Sequence, residues 1–482
     1  MSLLLGLRKD VSWKFMGEVL SRFVFFFFFL YVGRKLYATE FGTLNLAISA
    51  TYMLGVLFLD AGLCIAAIQH LVNYPEARSR TAGTVLVLKC ALLVPFLLIL
   101  LVMMSLFGER LPALPLMLYA AFYTFTTHIL EYLSAVTNAY HRMDLEAVFK
   151  ISNRVCTVLF GVAALRFHSV GALLISMMTA GALCCATAAW VVWRQCVRFQ
   201  PALDFRLMLR LVLSALPVGG TLVVSAIYLK WDLLVLSAYN ISREQLGWYA
   251  SAYKLVEAFS SIPGILGAAL FPTMVRLSKE DRPGFIRLLL MTTKIMLLCS
   301  LPVAACISAL SEPLIGLIYG PEYVPGAAVL SVLIWCIVPI FLYLVMMYVN
   351  VSVGMARYNM FAGIAALMFG LIANMLLIPK LGFVGAAWAA LIANTAFAAI
   401  VVWKIISLCP DARMLVLLAK LSFGGLVLGL LLKVGPWPLD VRVFVALLGY
   451  TVSTLALGNV NSSDLSLAVR LLRPSRLAME RR

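Results

Sequence analysis

Apolar positions in this chain form neither the alternation of a half-buried strand nor a single stripe along a helix. They run on for about 20 residues at a time, enough for a helix to cross a bilayer, and about fourteen such runs can be counted. Their centres fall near Phe27, Leu54, Leu93, Phe122, Leu159, Met178, Leu222, Ile262, Leu297, Ile334, Leu367, Leu391, Leu426 and Leu447. The pattern predicts an all-α polytopic membrane protein, and an even number of spans places both termini on one side. The first run, "GEVLSRFVFFFFFLYVGRKL" (Gly17 to Leu36), holds five consecutive phenylalanines preceded by Glu18 and Arg22. A secretory leader would end at a small-residue cleavage site and give way to a polar chain. Here the apolar runs continue, so this one reads as a first span. Five adjacent Phe cover every face of a helix and read as ordinary bulk; the two charges ahead of them are the informative residues.

Composition agrees. The 482 residues are 63% hydrophobic and 12% charged, with a mean hydropathy of +1.01. Soluble domains carry about 25% charged residues, so a soluble protein is excluded. A net charge of +17 would suggest nucleic acid in a soluble chain, but that reading needs a basic face on a folded module. Most of these charges lie in short loops, and no nucleic-acid partner is expected. Lys and Arg in short loops are retained in the cytoplasm; assigning alternate loops to two sides gives about 24 with the termini and about 8 opposite. Arg8, Lys9, Arg78, Arg80, Arg194, Arg198, Arg276, Lys279, Arg282, Arg473 and Arg476 are among the former. Both termini are therefore predicted cytoplasmic. The opposite loops are short and carry Glu109, Glu244, Glu312, Glu322 and Asp440. The ten cysteines sit almost entirely in apolar runs, with no CxxC and no metal-like pairing with the four histidines. They read as small core residues, and neither a metal nor a cofactor is expected.

The chain also echoes itself. "EFGTLNLA" (Glu40 to Ala47) resembles "QLGWYASA" (Gln245 to Ala252), and "HSVGALLIS" (His168 to Ser176) resembles "GFVGAAWAA" (Gly382 to Ala390). "NAYHRM" (Asn138 to Met143) can be laid on "VGMARY" (Val353 to Tyr358), with Arg142 opposite Arg357. Order and spacing agree, which predicts two parallel six-helix repeats related by an axis along the membrane normal. The expected division is a six-helix lobe over 1–200, a second over 201–408, and two added helices with a basic cytoplasmic tail over 409–482.

The same stretches carry a family resemblance. "LYATEFGTLNLAISATYMLGVLFLDAGL" (Leu36 to Leu63) resembles the passage of bacterial polysaccharide flippases in which an acidic-Phe/Tyr-Gly turn leads into a second span ending in Asp-x-Gly-Leu. "LGWYASAYKLVEAFSSIPGILGAALFPTMVRLS" (Leu246 to Ser278) is similar to their eighth span with its Phe-Pro exit, and "LIGLIYGPEYVPGAAVLSVL" (Leu314 to Leu333) to their ninth-to-tenth turn. From Leu36 to about Trp403 the chain is identified as a member of the polysaccharide-transport family of the multidrug/oligosaccharidyl-lipid/polysaccharide exporter superfamily. The resemblance implies a V-shaped pair of lobes around a central cavity. It also implies a flippase in the bacterial cytoplasmic (inner) membrane that carries a polyprenyl-pyrophosphate-linked oligosaccharide to the outer leaflet by alternating access. Such a flippase serves O-antigen, exopolysaccharide, lipopolysaccharide or capsule biosynthesis. Implied partners are the glycan lipid, membrane lipid, and a polysaccharide polymerase with its assembly proteins; with both lobes in one chain, a functional monomer is expected.

Charges inside spans are costly and tend to face a bundle interior or a watery cavity. Glu18 and Arg22, four apart, share a helix face, as do Lys254 and Glu257, three apart. Either pair can be self-neutralising, or can hold a cation toward a cavity. A lipid pyrophosphate brings about two negative charges, which an apolar path would repel without counter-charge. The cation candidates, in order, are Arg22, Lys254, Lys89 and Lys294. Arg154, Lys230 and Lys420 follow, with Lys230 read as snorkelling toward an interface. Proton or sodium coupling would use an acid: Glu18, Asp60, Glu131 or Glu257, with Asp232 also available. Asp60 can equally cap the end of the second span, and His128 with Glu131, one turn apart, can form a proton-responsive or a purely structural pair. Pro217, Pro263, Pro302 and Pro339 fall within spans, as bending points or static kinks.

Rival readings are a cation-coupled multidrug exporter, a peptidoglycan lipid-precursor flippase, and, in another class, a membrane glycan polymerase or glycosyltransferase. The abundance of Lys and Arg suits an anionic substrate better than a cationic drug. An enzyme would need catalytic side chains in accessible outer loops; those loops are short, and no Asp-x-Asp, phosphate-binding Gly-rich lysine loop or nucleophile elbow is present. A transporter rather than an enzyme is expected. Asn45, Asn138, Tyr228, Trp231, Asn350, Asn374 and Asn394 could read a sugar or pack helices equally well.

Overall fold

The computed structural model describes residues 2–408, 420, 425, 428 and 439–456, and among them every regular element is a helix. In chain order these are α1 (Ser2–Lys35), α2 (Ala38–Gly55), a π-helical turn (Val56–Asp60), α3 (Leu63–Asn73), α4 (Arg78–Phe107), α5 (Leu114–Ala139), α6 (Met143–Ala164) and α7 (Val170–Gln195). They continue as α8 (Phe205–Ala238), α9 (Arg243–Glu280), α10 (Arg282–Ala309), α11 (Ser311–Ile318), α12 (Ala327–Leu333), α13 (Ile337–Ser352), α14 (Ala356–Leu381), α15 (Phe383–Leu408) and α16 (Leu439–Ala456). Aspartates start two of them: Asp204 accepts from the Leu207 amide at 3.1 Å ahead of α8, and Asp281 from the Gly284 amide at 2.9 Å ahead of α10, each satisfying a helix-end donor.

Among the described residues, ten helical segments are long and apolar enough to cross a membrane. They contain ten of the predicted centres, from Leu54 to Leu391. The centres Phe27 and Phe122 lie in α1 and α5, which at 34 and 26 residues are long helices outside those ten. In α5 the run Thr124, Thr126, Thr127, His128 and Glu131 dilutes the apolar pattern. Leu447 falls in α16, within the shorter apolar stretch Val445–Thr454. The span centred on Leu426 and the basic tail lie outside the described residues.

The chain forms two compact units: Met1–Lys254 with Ile315–Gly326 and Asn374–Ala386, and Leu255–Leu314 with Ala327–Ala373 and Ala387–Arg482. In the first, α5 packs on α7, α1 on α6, and α2 on both α5 and α8. Its core surrounds Tyr132, Leu133, Val136, Val85 and Val192. Tyr132 is fully buried and donates its hydroxyl hydrogen to the Ala82 carbonyl at 2.7 Å, as a polar tip in an apolar medium requires. The two glycines of the first echo meet here. A Cβ on Gly42 would collide with the Arg243 carbonyl, and one on Gly247 with the Ala38 carbonyl. The start of α2 is tied down by Glu322, whose Oε1 accepts from the Ala38 amide at 2.8 Å, and by Tyr323, which donates to the Leu36 carbonyl at 2.9 Å. The second echo shares a backbone conformation: His168 and Gly382, equivalent in the alignment, both take the left-handed region, with φ of 45° and 58°.

In the second unit α10 packs on α13, with Leu297, Leu301, Leu428, Ala446 and Tyr450 forming one core. Asn350 donates to Asn359 Oδ1 at 2.8 Å, and Asn359 donates to the Met347 carbonyl at 3.0 Å; for these two, packing between helices is the role the geometry gives. Pro217, Pro263 and Pro302 lie inside helices. Pro339 lies within the helical segment Pro321–Ser352, just after the 3-10 turn Ile334–Cys336 that separates α12 from α13.

Candidate functional site

Two polar regions lie within the first unit, and α2 contributes to both. The first is a small cavity of about 20 Å³ lined from α2 by Asn45 and Ser49, from α8 by Lys230, Asp232 and Leu233, and from α9 by Tyr249, Ala250, Tyr253 and Lys254. That is room for a single water or ion-sized group. Tyr249 donates to Asp232 Oδ2 at 2.9 Å, so the buried carboxylate of α8 is held by a phenol of α9. Lys230 lies over the Tyr253 ring at 5.2 Å from its centroid, and Lys254 over the Phe29 ring at 4.5 Å. Both ammonium groups thus rest on aromatic faces, which attract a cation through the ring quadrupole.

The second region surrounds a break in the second span. After α2 the backbone widens into the π turn Val56–Asp60, and Ala61 and Gly62 then take φ of 36° and 84° before α3 begins. Such a break exposes carbonyls that must find donors inside the membrane. Lys89 of α4, fully buried, supplies one: its Nζ donates to the Leu59 carbonyl at 2.7 Å and sits 3.3 Å from Asp60 Oδ1. Asp60 Oδ1 also accepts from the Cys64 amide at 3.4 Å at the start of α3. Asp60 therefore both caps the break and pairs with a lysine. From α5, His128 Nδ1 lies 3.0 Å from Glu131 Oε2, the imidazole stacks on Tyr52, and a Cβ on Gly55 would come within 2.9 Å of His128 Nε2. The absence of a side chain at Gly55 lets the ring lie against α2.

The predicted residues separate accordingly. Lys254 lines the cavity, joined by Lys230, which the sequence reading had sent toward an interface. Lys89, Asp60 and Glu131 gather at the helix break. Arg22 is an exposed residue of α1 and Glu257 an exposed residue of α9, whereas Lys294 is half-buried in α10 of the second unit. The Glu18 side chain lies outside the described residues. Arg154 lies 3.9 Å from the Phe25 ring centroid. The phenylalanine run is thus more than bulk: Phe25 and Phe29, one turn apart and edge-to-face at 4.8 Å, each carry a cation. Ser49, Tyr249 and Tyr253 are polar cavity residues that the sequence reading did not name, and Asp232 had entered it only as an available acid. Their signal was the placement of Lys230 with Asp232, and of Tyr249 with Tyr253 and Lys254, on adjoining turns of α8 and α9.

The fold is similar to the lipid II flippase MurJ in an inward closed conformation, with a TM-score of 0.61 and 13% identity over 91% of this chain and 97% of that one. It is also similar to an inward-facing multidrug resistance transporter of the MATE family within the MOP superfamily, with a TM-score of 0.60 and 14% identity over 83% and 96%. A MOP superfamily transporter from Pyrococcus furiosus gives a TM-score of 0.53 and 15% identity over 86% and 95%. No curated protein matches the sequence. The fold is thus that of MOP transporters. Residues 7–278, more than half of the chain, match the family described as "Polysaccharide biosynthesis protein", and this chain belongs to it.

Proposed function

We propose that this multi-pass membrane protein is a flippase that moves a polyprenyl-pyrophosphate-linked oligosaccharide from the cytoplasmic to the outer leaflet for cell-surface polysaccharide synthesis. The observation that carries the reading is the pair Lys230 and Lys254, which line one cavity in a chain of a polysaccharide biosynthesis family. A diphosphate is the part of such a lipid that the bilayer resists most, since transfer of an isolated ion to a low-dielectric medium costs on the order of 20 kcal/mol before relaxation. Two ammonium groups held in the membrane oppose that cost, and their three rotatable donors each suit phosphate oxygens. Asn45 and Ser49 add neutral polar groups beside them. The aromatic rings under both lysines help place the ammonium groups at the cavity.

In this reading the protein works in a bacterial inner membrane with both termini cytoplasmic. It acts as a monomer by alternating access of two six-helix lobes, beside a polysaccharide polymerase. The test is a leaflet assay in proteoliposomes: a fluorescent polyprenyl-pyrophosphate oligosaccharide is loaded on one side and its accessibility to an impermeant quencher followed. Wild-type protein is expected to move it and the double variant Lys230→Ala/Lys254→Ala to leave it in place. Arg22→Ala, run alongside, asks whether an exposed cation of α1 shares the work. Failure of the wild type with every glycan diphosphate lipid, under ion gradients of either sign, overturns the proposal.

A further inference from the structure

The segment between α7 and α8 carries more positive charge than the protein around it uses. Between Trp193 and Leu211 lie Arg194, Arg198, Arg206 and Arg210, against one carboxylate, Asp204. That carboxylate is committed: its Oδ2 lies 2.7 Å from Arg80, and its Oδ1 accepts from the Leu207 amide at 3.1 Å. Arg78 and Arg142 also have partners within the protein, the first on the Leu71 carbonyl and the Tyr140 ring, the second on Asp144 and Gln195. Among the described residues, Arg198, Arg206 and Arg210 are exposed and meet no carboxylate. Helix stability does not call for them. Arg206 stands in the first turn of α8 and Arg210 in the second, near the positive end of the helix dipole, where a cation is disfavoured.

Their surroundings are apolar and open. Phe205 is 75% and Leu209 60% exposed, and Leu213 and Leu216 continue that face of α8. Leu207 and Leu211 are instead buried in one core with Ala67 and Leu71 of α3. Arg206 and Arg210, four residues apart, share a helix face that runs between the buried stripe and the exposed one, and Arg210 lies within electrostatic reach of His70 at the end of α3. Trp190 and Trp193 are exposed on the last turns of α7, with Arg194 over the Trp190 ring at 5.4 Å; tryptophan is enriched at the membrane–water interface. The segment is tied to α4, since the Gln200 amide donates to the Ser79 carbonyl at 3.1 Å and a Cβ on Gly83 would collide with the Gln200 carbonyl.

We propose that the start of α8 binds an anionic phospholipid, its phosphate on Arg206 and Arg210 and its acyl chains along Phe205, Leu209 and Leu213. The ligand is anionic because two exposed guanidinium groups lack a carboxylate, and it carries chains because those groups border an apolar face open to lipid. Guanidinium forks match phosphate oxygens in pairs, and Arg194 and Arg198 add to the local positive field. Arg206 and Lys230 are separated by on the order of 30 Å along α8, so this site is distinct from the cavity. In the topology of the flippase reading it faces the cytoplasmic leaflet; the binding itself does not depend on that reading.

The test titrates the detergent-solubilised full chain with phosphatidylglycerol or zwitterionic phosphatidylcholine of the same chains and counts bound lipid by native mass spectrometry. Phosphatidylglycerol is expected to fill one saturable site at least about tenfold more tightly, the factor that a single charge-assisted hydrogen bond supplies. Arg206→Gln/Arg210→Gln is expected to bring the two lipids level, whereas Arg166→Gln, at an exposed arginine between α6 and α7, keeps the preference. Equal affinity of the wild type for both lipids overturns the proposal, as does a preference that survives the double variant. Glycerol phosphate, an anion without chains, is expected to compete poorly; full competition at equal concentration reduces the site to an anion site and overturns the lipid assignment. A prenyl diphosphate that displaces phosphatidylglycerol at lower concentration overturns it too, in favour of a transported lipid. Should the double variant not fold, a photoreactive phosphatidylglycerol on the wild type is expected to label peptides from 203–216, and label confined elsewhere sinks the proposal. A glycan lipid that never moves, with phosphatidylglycerol binding intact, removes the flippase reading and leaves the phospholipid site standing.

Discussion

The two polar regions of the first unit treat buried charge in opposite ways, although α2 borders both. At the helix break, Lys89 is sealed from solvent and its ammonium is committed to the Leu59 carbonyl and the Asp60 carboxylate. In the cavity, Lys230 and Lys254 are half-buried and lie over the rings of Tyr253 on α9 and Phe29 on α1, respectively. A carboxylate partner neutralises a lysine and satisfies its donors; an aromatic face restrains it and leaves its charge largely intact. The first arrangement suits a charge that holds the helix break together. The second gathers two cations at one small cavity, and the flippase reading uses that placement. Charge inside a membrane protein therefore reads as function only after its immediate partner is known.

The comparison breaks most readily at Lys89. Lys89→Met leaves Asp60 with a 13% exposed side chain and no lysine, and removing one partner of a buried pair costs about 3 to 5 kcal/mol. A large fall in thermal unfolding temperature in detergent is expected, partly recovered in Asp60→Asn/Lys89→Met. Lys254→Met gives up a half-buried lysine and should cost less than breaking the sealed pair at Lys89; equal losses at the two lysines would erase the distinction. Next in size is ligand affinity. Charge-assisted hydrogen bonds contribute about 1.5 to 3 kcal/mol each, so Lys230→Ala/Lys254→Ala should weaken binding of a prenyl diphosphate roughly hundredfold or more, measured by titration of the detergent-solubilised protein. Tyr249→Phe removes a hydrogen bond to the Asp232 carboxylate and should lower stability by about 1 to 2 kcal/mol. A smaller loss would show that Asp232 is not held as a charged acceptor.

The fold was largely legible because a bilayer imposes long apolar runs, and ten predicted centres fall in the ten segments that qualify as spans among the described residues. The echoed turns were legible for a related reason. Gly42 and Gly247 sit where backbones touch and only glycine fits, whereas His168 and Gly382 share a left-handed φ with different side chains. Partner choice was less legible. Lys89 and Asp60 are 29 residues apart, and nothing in periodicity announces that α4 returns to the end of α2. The π turn was hidden as well, since "VLFLDAGL" (Val56 to Leu63) reads as a span ending in a cap. Lys230 joins the cavity with its ammonium over the Tyr253 ring of the neighbouring helix, a contact that distance to a span's end does not reveal.

The smallest effect tests the aromatic support itself. Phe29 is buried, and its ring lies 4.5 Å from Lys254 Nζ; Phe29→Leu keeps apolar bulk and removes the quadrupole. A cation–π contact of this kind is worth about 0.5 to 1 kcal/mol when partly exposed, or roughly a two- to fivefold loss of prenyl diphosphate affinity if the ring holds the ammonium in position. The same substitution in a Lys254→Ala background should then change affinity little, because the coupling between two contacting residues disappears when either is removed. Phe25→Leu is the matched control: its ring holds Arg154 rather than Lys254, and affinity should stay near wild type. Equal losses from Phe29→Leu with and without Lys254 would assign Phe29 to packing alone, and the five-phenylalanine run would return to being bulk.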